Sequence, residues 1–147
     1  MDIATLESQE TRLVLPRFTE DQALSLGLAL IEAARGRLPI AIDIRTPDRT
    51  LFHISMRGAS AINDRWALRK SNLVFAFGAS SMLTTLRLRD RGETLAYHGL
   101  PEGEFALSGG SVPIRVAGAG LIAAVTVSGL PEMEDHALAV QALGALV

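Results

Sequence analysis

Two pairs of strand-like runs, with helical stretches between them, limit the folds open to this chain more than any other feature of its sequence. Residues 112–116 and 121–128 are rich in β-branched side chains, and the small residues 117–120 separate them, which predicts a hairpin. Apolar residues also alternate at Leu38, Ile40, Ile42 and Ile44, and again across residues 51–56 after a turn-forming segment, which predicts a second hairpin.

Helical patterns occupy the stretches around these hairpins. Thr19 and Gln22 have the spacing of a capping box, so a first helix is expected over residues 19–35. Apolar spacing predicts a helix over residues 61–77 and others over about 81–91 and 132–146. The order α-ββ-αα-ββ-α indicates an α/β (α+β) fold, with helices packed on a largely antiparallel sheet of about five strands. The 147 residues suit a single domain, with residues 1–13 as an N-terminal tail.

Composition excludes several classes of function. There is no cysteine, so disulfides, thiolate catalysis and cysteine-based metal sites are excluded. The net charge is −2 and no basic stripe is visible, which argues against nucleic-acid binding. The N-terminus lacks a signal-peptide pattern and no apolar run is long enough to span a bilayer, so a cytoplasmic protein without membrane insertion is expected. The mean hydropathy of +0.27 is high for a small monomer and predicts a homodimer or higher homo-oligomer.

A long loop is the first candidate for a functional site. Residues 92–111 contain five glycines and a proline, and loops of this length are usually functional or mobile. A short strand near residues 95–97 is one expectation within it. His98 could be a metal or haem ligand or a general base. The alternative is a solvated loop histidine.

Two other groups of residues suggest ligand contacts. Gly109 and Gly110 could form a nest of N–H groups that holds a carboxylate or phosphate, or they could simply make a tight turn or bulge before the strand. Trp66 and Lys70 are four residues apart on one helical face and could form a cationic rim for a carboxylate-bearing ligand. The alternative is a core tryptophan beside a solvated lysine.

The remaining histidines give weaker signals. Asp135 and His136 are adjacent near the start of the last helix, but adjacent helical side chains point about 100° apart, which favours an N-terminal charge beside a packed histidine. His53 lies in the first hairpin, where a structural or interface role is expected. The three histidines lack metal-ligand spacing, so no metal site is predicted, and His98 and His136 are only weak candidates.

Several segments together resemble a known family. Residues 109–114 and 120–129, followed by Asp135 and His136, resemble the glycine-rich strands and acidic helix start of the GlcG/HbpS-type haem-degrading-domain family. Residues 66–72 are similar to the short cytosolic branch of that family. The resemblance covers the chain from about Val14.

The resemblance implies a profilin-like fold, homo-oligomers built from dimers, and binding of haem, a related tetrapyrrole or another small ligand. On the haem hypothesis, His98 is the axial ligand, Lys70 or Arg115 meets the propionates, and any activity is oxidative haem breakdown. The competing hypothesis is a protein-interaction or assembly module without cofactor or chemistry. A metal-dependent enzyme is a third alternative.

Overall fold

Five strands form one mixed sheet in the computed structural model, which describes residues 1–37 and 39–147. The spatial strand order is β1-β4-β5-β2-β3, and every neighbouring pair is antiparallel except β1 and β4. The elements in chain order are α1 (Ile3–Arg12), β1 (Val14–Leu15), α2 (Glu20–Ala33), β2 (Ala41–Thr46), β3 (Arg49–Ser55), α3 (Ala61–Phe77), α4 (Ser81–Arg91), β4 (Ser111–Val116), β5 (Gly120–Ser128) and α5 (Glu132–Gly144). The expected α/β fold with a largely antiparallel five-stranded sheet is confirmed.

Local sequence accounts for most of these boundaries. The Thr19 hydroxyl accepts a hydrogen bond from the Gln22 N–H, and the Gln22 side chain accepts one from the Thr19 N–H, which completes the predicted capping box of α2. The helix predicted over residues 61–77 begins and ends at those residues. The predicted strand run that includes Leu38 begins at Ala41 in the structure, and Leu38 itself lies outside the described residues.

The two faces of the sheet have different chemistry. One face is apolar and packs under α2 and α5, with Ile42, Ile44, Ile114 and Val125 fully buried in that core. Because side chains alternate along a strand, Asp43, Ser111, Thr126 and Ser128 belong to the opposite face. Helix α3 covers this polar face with small residues such as Ala67 and Ser71. A polar layer is therefore sealed between α3 and the sheet.

The N-terminal segment differs from the expected tail. Residues Ile3–Arg12 form α1, which Asp2 caps through its carboxylate. Leu6 is fully buried against α4, and β1 adds a parallel edge strand beside β4. The tail was expected because this segment has only isolated apolar residues. A single buried leucine and a cap are enough here because α4 supplies the apolar surface.

The long loop between α4 and β4 also differs from expectation in one detail. The suggested strand near residues 95–97 is wrong, because Ala96–His98 form a 3₁₀ turn instead. Thr94 accepts a hydrogen bond from the Tyr97 N–H through its hydroxyl, which favours the turn.

Among the described residues, no helix combines the length and apolar character needed to cross a bilayer.

Candidate functional site

A buried ion pair lies between α3 and the start of α5. Lys70 Nζ donates to Asp135 Oδ2 at 3.0 Å and to the backbone oxygen of Val127 at 3.3 Å. Lys70 is 3% exposed and Asp135 is 1% exposed, so both charges are largely shielded from bulk water. A charged pair this deep is expensive unless its geometry is good, which makes it a candidate for function.

The backbone before α5 holds Asp135 in place. The carboxylate accepts hydrogen bonds from the N–H groups of Leu130 at 3.0 Å and Gly129 at 3.3 Å. Burial nevertheless raises the pKa of Asp135, against the opposing effect of Lys70 and these N–H groups. Burial also lowers the pKa of Lys70, against the opposing charges of Asp135 and Glu132. Both shifts act toward the neutral forms of the pair.

Of the two glycines for which an anion nest or a tight turn was expected, Gly110 packs against this pair. Gly110 has a φ of +134°, and a Cβ atom there would lie 2.9 Å from Lys70 Nζ and closer still to the Val127 oxygen. The Gly109 N–H donates to Glu132 Oε1 at 3.2 Å, so a carboxylate of the chain itself already uses this donor. Glycine at position 110 thus provides the space that the lysine head group occupies.

A cavity of about 230 Å³ opens onto the ion pair. Its walls combine the two charged groups, polar side chains, two backbone segments and one aromatic ring, contributed by Asn63, Trp66, Lys70, Ser108, Ser128, Gly129, Leu130 and Asp135. Trp66 is 37% exposed, with the Arg69 guanidinium 4.5 Å from its ring centre. The alternative expectation, a core tryptophan beside a solvated lysine, is therefore wrong. The lysine is buried and the tryptophan lies at the surface.

The long loop folds back over α3. Arg69 Nε donates to the Glu102 oxygen at 2.9 Å, and Asn72 Nδ2 donates to the Glu104 oxygen at 2.8 Å. A second cavity of about 260 Å³ lies between the loop and Trp66, with Leu95 and Ala106 among its walls. Trp66 therefore stands between two concave sites, one at the ion pair and one under the loop.

His98 lies on this loop but outside the walls of both cavities. Its Nε2 is 2.8 Å from Glu93 Oε1, and its ring makes edge contacts with Phe77 and Tyr97. The side chain is 28% exposed. The structure thus places His98 apart from Lys70 and Asp135.

Arg115 is also apart from the ion pair. It lies on β4 beneath α1, where its guanidinium approaches Glu10 Oε2 at 3.4 Å. Glu10 in turn accepts a hydrogen bond from the Ser80 N–H at the start of α4. A separate cavity of about 510 Å³ opens beside Arg115, with Arg87 and Glu7 in its wall. Lys70 and Arg115 therefore cannot contact one ligand as a pair of neighbours.

The other two histidines are held by side chains of the chain itself. His53 lies between Asp43 and Asp64, with N–O distances of 2.7 and 2.8 Å. Burial lowers the pKa of His53, but the hydrogen bonds and charges of these two carboxylates outweigh it and the net shift is upward. His136 is buried, and its Nε2 contacts Gln9 at 2.8 Å. Within the described residues, no group of three or more acidic or histidine side chains could hold a metal ion.

The cavity at the ion pair contains two residues expected from the sequence as ligand contacts, Trp66 and Lys70. Trp66, Lys70 and Gly110 were expected as ligand contacts, and the structure brings these three together. Asp135 was considered only as a neighbour of His136, and Asn63, Ser108 and Ser128 were not considered. The chain has fourteen basic residues of which Lys70 is the only lysine, and that signal could have singled out its surroundings.

Comparison with known proteins places this architecture in a family. The model of the family described as haem degrading protein HbpS-like matches residues 18–144. The UPF0303 protein SCO2848 of Streptomyces coelicolor is 47% identical over 143 residues, which cover 96% of this chain and 90% of that protein.

Two solved structures show the same fold. The crystal structure of Ybr137w protein aligns with a TM-score of 0.88 and 31% identity, over 99% of this chain and 87% of that one. A PduOC:heme complex aligns with a TM-score of 0.69 and 21% identity, over 88% of this chain and 94% of that one. The family model and the long alignments agree in chain coverage, and the chain therefore belongs to the HbpS-like family.

Proposed function

We propose that this protein binds a small polar molecule in the cavity at Lys70. The observation that carries the proposal is the burial of Lys70 and Asp135 beside a concave space that their own side chains line. An apolar pair of similar volume would be as stable or more stable in such a position. A charged pair kept at a cavity wall is therefore better explained by recognition of a ligand.

The walls indicate the chemistry of that ligand. The Lys70 ammonium can donate to a carboxylate or carbonyl oxygen, and Ser108, Ser128 and Asn63 provide further polar groups. The indole of Trp66 offers a flat surface at the opening. A volume of about 230 Å³ is below the roughly 300–1,000 Å³ typical of drug-sized ligands, so a molecule of a few heavy atoms fits best. We infer a small carboxylate or carbonyl compound.

Trp66 provides a direct test because it is the only tryptophan of the chain. Titration with acetate, pyruvate and glyoxylate is expected to change its fluorescence in a saturable way for at least one of them. Lys70→Met should weaken that binding about tenfold or more, since a charge-assisted hydrogen bond contributes about 1.5–3 kcal/mol. Arg87→Ala, which changes the separate cavity beneath α1, should bind as the wild type does. Equal binding by Lys70→Met would exclude this cavity.

Haem-related binding is a second candidate, supported by the HbpS-like family and by the fold shared with a PduOC:heme complex. Within residues 1–37 and 39–147 of one chain, no histidine lines the cavities described above, since His53, His98 and His136 contact other side chains of the chain. The two cavities beside Trp66 are also small. Haem would therefore lie on the surface near His98, where a second copy could complete the site.

Haemin titration separates this candidate from the first. A shifted Soret band is expected on binding, and His98→Ala should abolish or alter it, while His53→Ala leaves it unchanged. An unchanged spectrum for His98→Ala would exclude His98 as the ligand. The absence of any Soret shift for the wild type would exclude haem.

We also propose a homo-oligomer. Leu24 and Leu28 are 52% and 55% exposed on one face of α2, and Ile62 and Leu68 are exposed on α3. Apolar helix faces of this kind are typical of subunit interfaces. Light scattering after size exclusion is expected to give a mass of two or more chains, and Leu24→Glu should lower it. A monomer, with co-purification of a different protein, would favour the assembly-module alternative instead.

A further inference from the structure

The only lysine of the chain occupies the most buried basic position. All thirteen other basic residues are arginines, and Lys70 is 3% exposed at a cavity wall. Arginine remains protonated in proteins and needs room for a planar fork of donors. Lysine is compact and can lose its proton when buried. The single lysine therefore lies at a cavity wall, where burial favours a neutral, nucleophilic amine.

Asp135 supplies a proton acceptor next to this amine. Its Oδ2 lies 3.0 Å from Lys70 Nζ, close enough for direct transfer of a proton. The lowered pKa of Lys70 and the raised pKa of Asp135 both favour that transfer, and burial is the cause of each. The Gly129 and Leu130 N–H groups hold the carboxyl group in position.

We propose that Lys70 captures an aldehyde or ketone ligand in this cavity as a Schiff base, with Asp135 as the proton carrier. The inference rests on the proposed binding of a small carbonyl compound at the same site. It adds a covalent step and makes the ligand class narrower, since a carboxylate alone could not react.

The step needs no oxidant or reductant. Asp135 takes a proton from the Lys70 ammonium, and the free electron pair of Nζ forms a bond to the carbonyl carbon. The carbonyl oxygen takes up the electrons of its π bond and receives the proton that Asp135 holds, which gives a carbinolamine with a protonated nitrogen. Nζ then loses a proton to the Asp135 carboxylate, and Asp135 passes that proton to the hydroxyl as the C–O bond breaks and water leaves. The lysine ammonium and the carbonyl thus give a protonated imine and water, and Asp135 returns to its carboxylate form.

Reductive trapping with glyoxylate and cyanoborohydride tests the proposal on the full chain. The Arg57→Lys variant carries a second, exposed ε-amine in the same molecule, because Arg57 lies at the surface. Peptide mass mapping at neutral pH is expected to show more adduct at Lys70 than at position 57, because the cavity holds the carbonyl compound beside Nζ and burial lowers the pKa of Lys70. The preference should disappear in urea. In the chain that retains Arg57, Lys70→Arg should leave only the amino terminus modified.

The outcomes separate this inference from ligand binding itself. A saturable Trp66 response to glyoxylate, with Lys70 modified no faster than position 57, would overturn the Schiff base and leave binding intact. The absence of a Trp66 response to acetate, pyruvate and glyoxylate, together with the absence of the adduct, would overturn both proposals. Modification of Lys70 in preference to position 57, seen in folded protein and lost in urea, would support both proposals.

Discussion

Asp135→Ala is expected to lower the free energy of unfolding by about 3–5 kcal/mol, because it leaves the Lys70 ammonium buried without a counter-charge. The change also removes the acceptor for the Leu130 and Gly129 N–H groups, which are part of the chain reversal before α5. Equilibrium urea unfolding followed by circular dichroism measures the loss. An effect below about 1 kcal/mol would show that Lys70 finds water or another partner without Asp135.

Two further variants identify the source of that loss. Asp135→Asn keeps an oxygen for the Leu130 N–H but removes the charge. It should therefore still lower the free energy of unfolding by more than a typical surface substitution does. Lys70→Met fills the same space without charge and leaves Asp135 with two N–H donors, so it should cost less than Asp135→Ala. In the double variant Lys70→Met with Asp135→Ala, the loss should be smaller than the sum of the two, because neither change then leaves a charge alone. Additive losses would contradict an interacting pair.

Gly110→Ala is expected to be strongly destabilising, although it adds only one methyl group. A Cβ atom would collide with the Val127 oxygen and approach Lys70 Nζ to 2.9 Å, at a φ of +134° that L-residues rarely adopt. Backbone strain of about 1–3 kcal/mol then adds to overpacking of about 1–3 kcal/mol. We expect a loss of roughly 3 kcal/mol or more in unfolding free energy, together with weaker binding in the Trp66 titration.

Gly118→Ala is the matched control for this prediction. Gly118 also has a positive φ, +80°, but a Cβ atom there would meet no other atom within 4 Å. Gly118→Ala should lower the free energy of unfolding only by the conformational cost, about 1–2 kcal/mol. Equal losses at the two positions would show that backbone conformation, and not the space beside Lys70, explains the need for glycine at 110.

The elements were predictable because their signals are local. The Thr19 and Gln22 capping box, the period of residues 61–77 and the hairpin turn at residues 117–120 depend only on neighbours along the chain. The N-terminal segment gave no such signal. Its helix depends on Leu6 packing against α4, about 75 residues away in sequence, so its order could not be predicted from its own pattern.

The candidate site was only partly predictable for the same reason. Trp66 and Lys70 could be paired because four residues on a helix share a face. Asp135 is 65 residues from Lys70, and its contact depends on how α5 starts beside the end of β5. The haem hypothesis placed His98 around one ligand with Lys70 or Arg115, and the structure places His98 and Arg115 apart from Lys70. The cytoplasmic location and the single-domain organisation stay predictions from sequence.

Sequence by itself determined the α/β class, the two hairpins and the identity of the chemical groups available, including a single lysine among arginines. Those properties follow from periodicity and side-chain chemistry, which act over a few residues. Only the tertiary structure decided that this lysine is buried, that it meets Asp135 and that Gly110 makes room for it. Burial and contact between distant segments depend on how helices cross the sheet, and desolvation in that buried layer is what turns an ordinary charged pair into a candidate binding site.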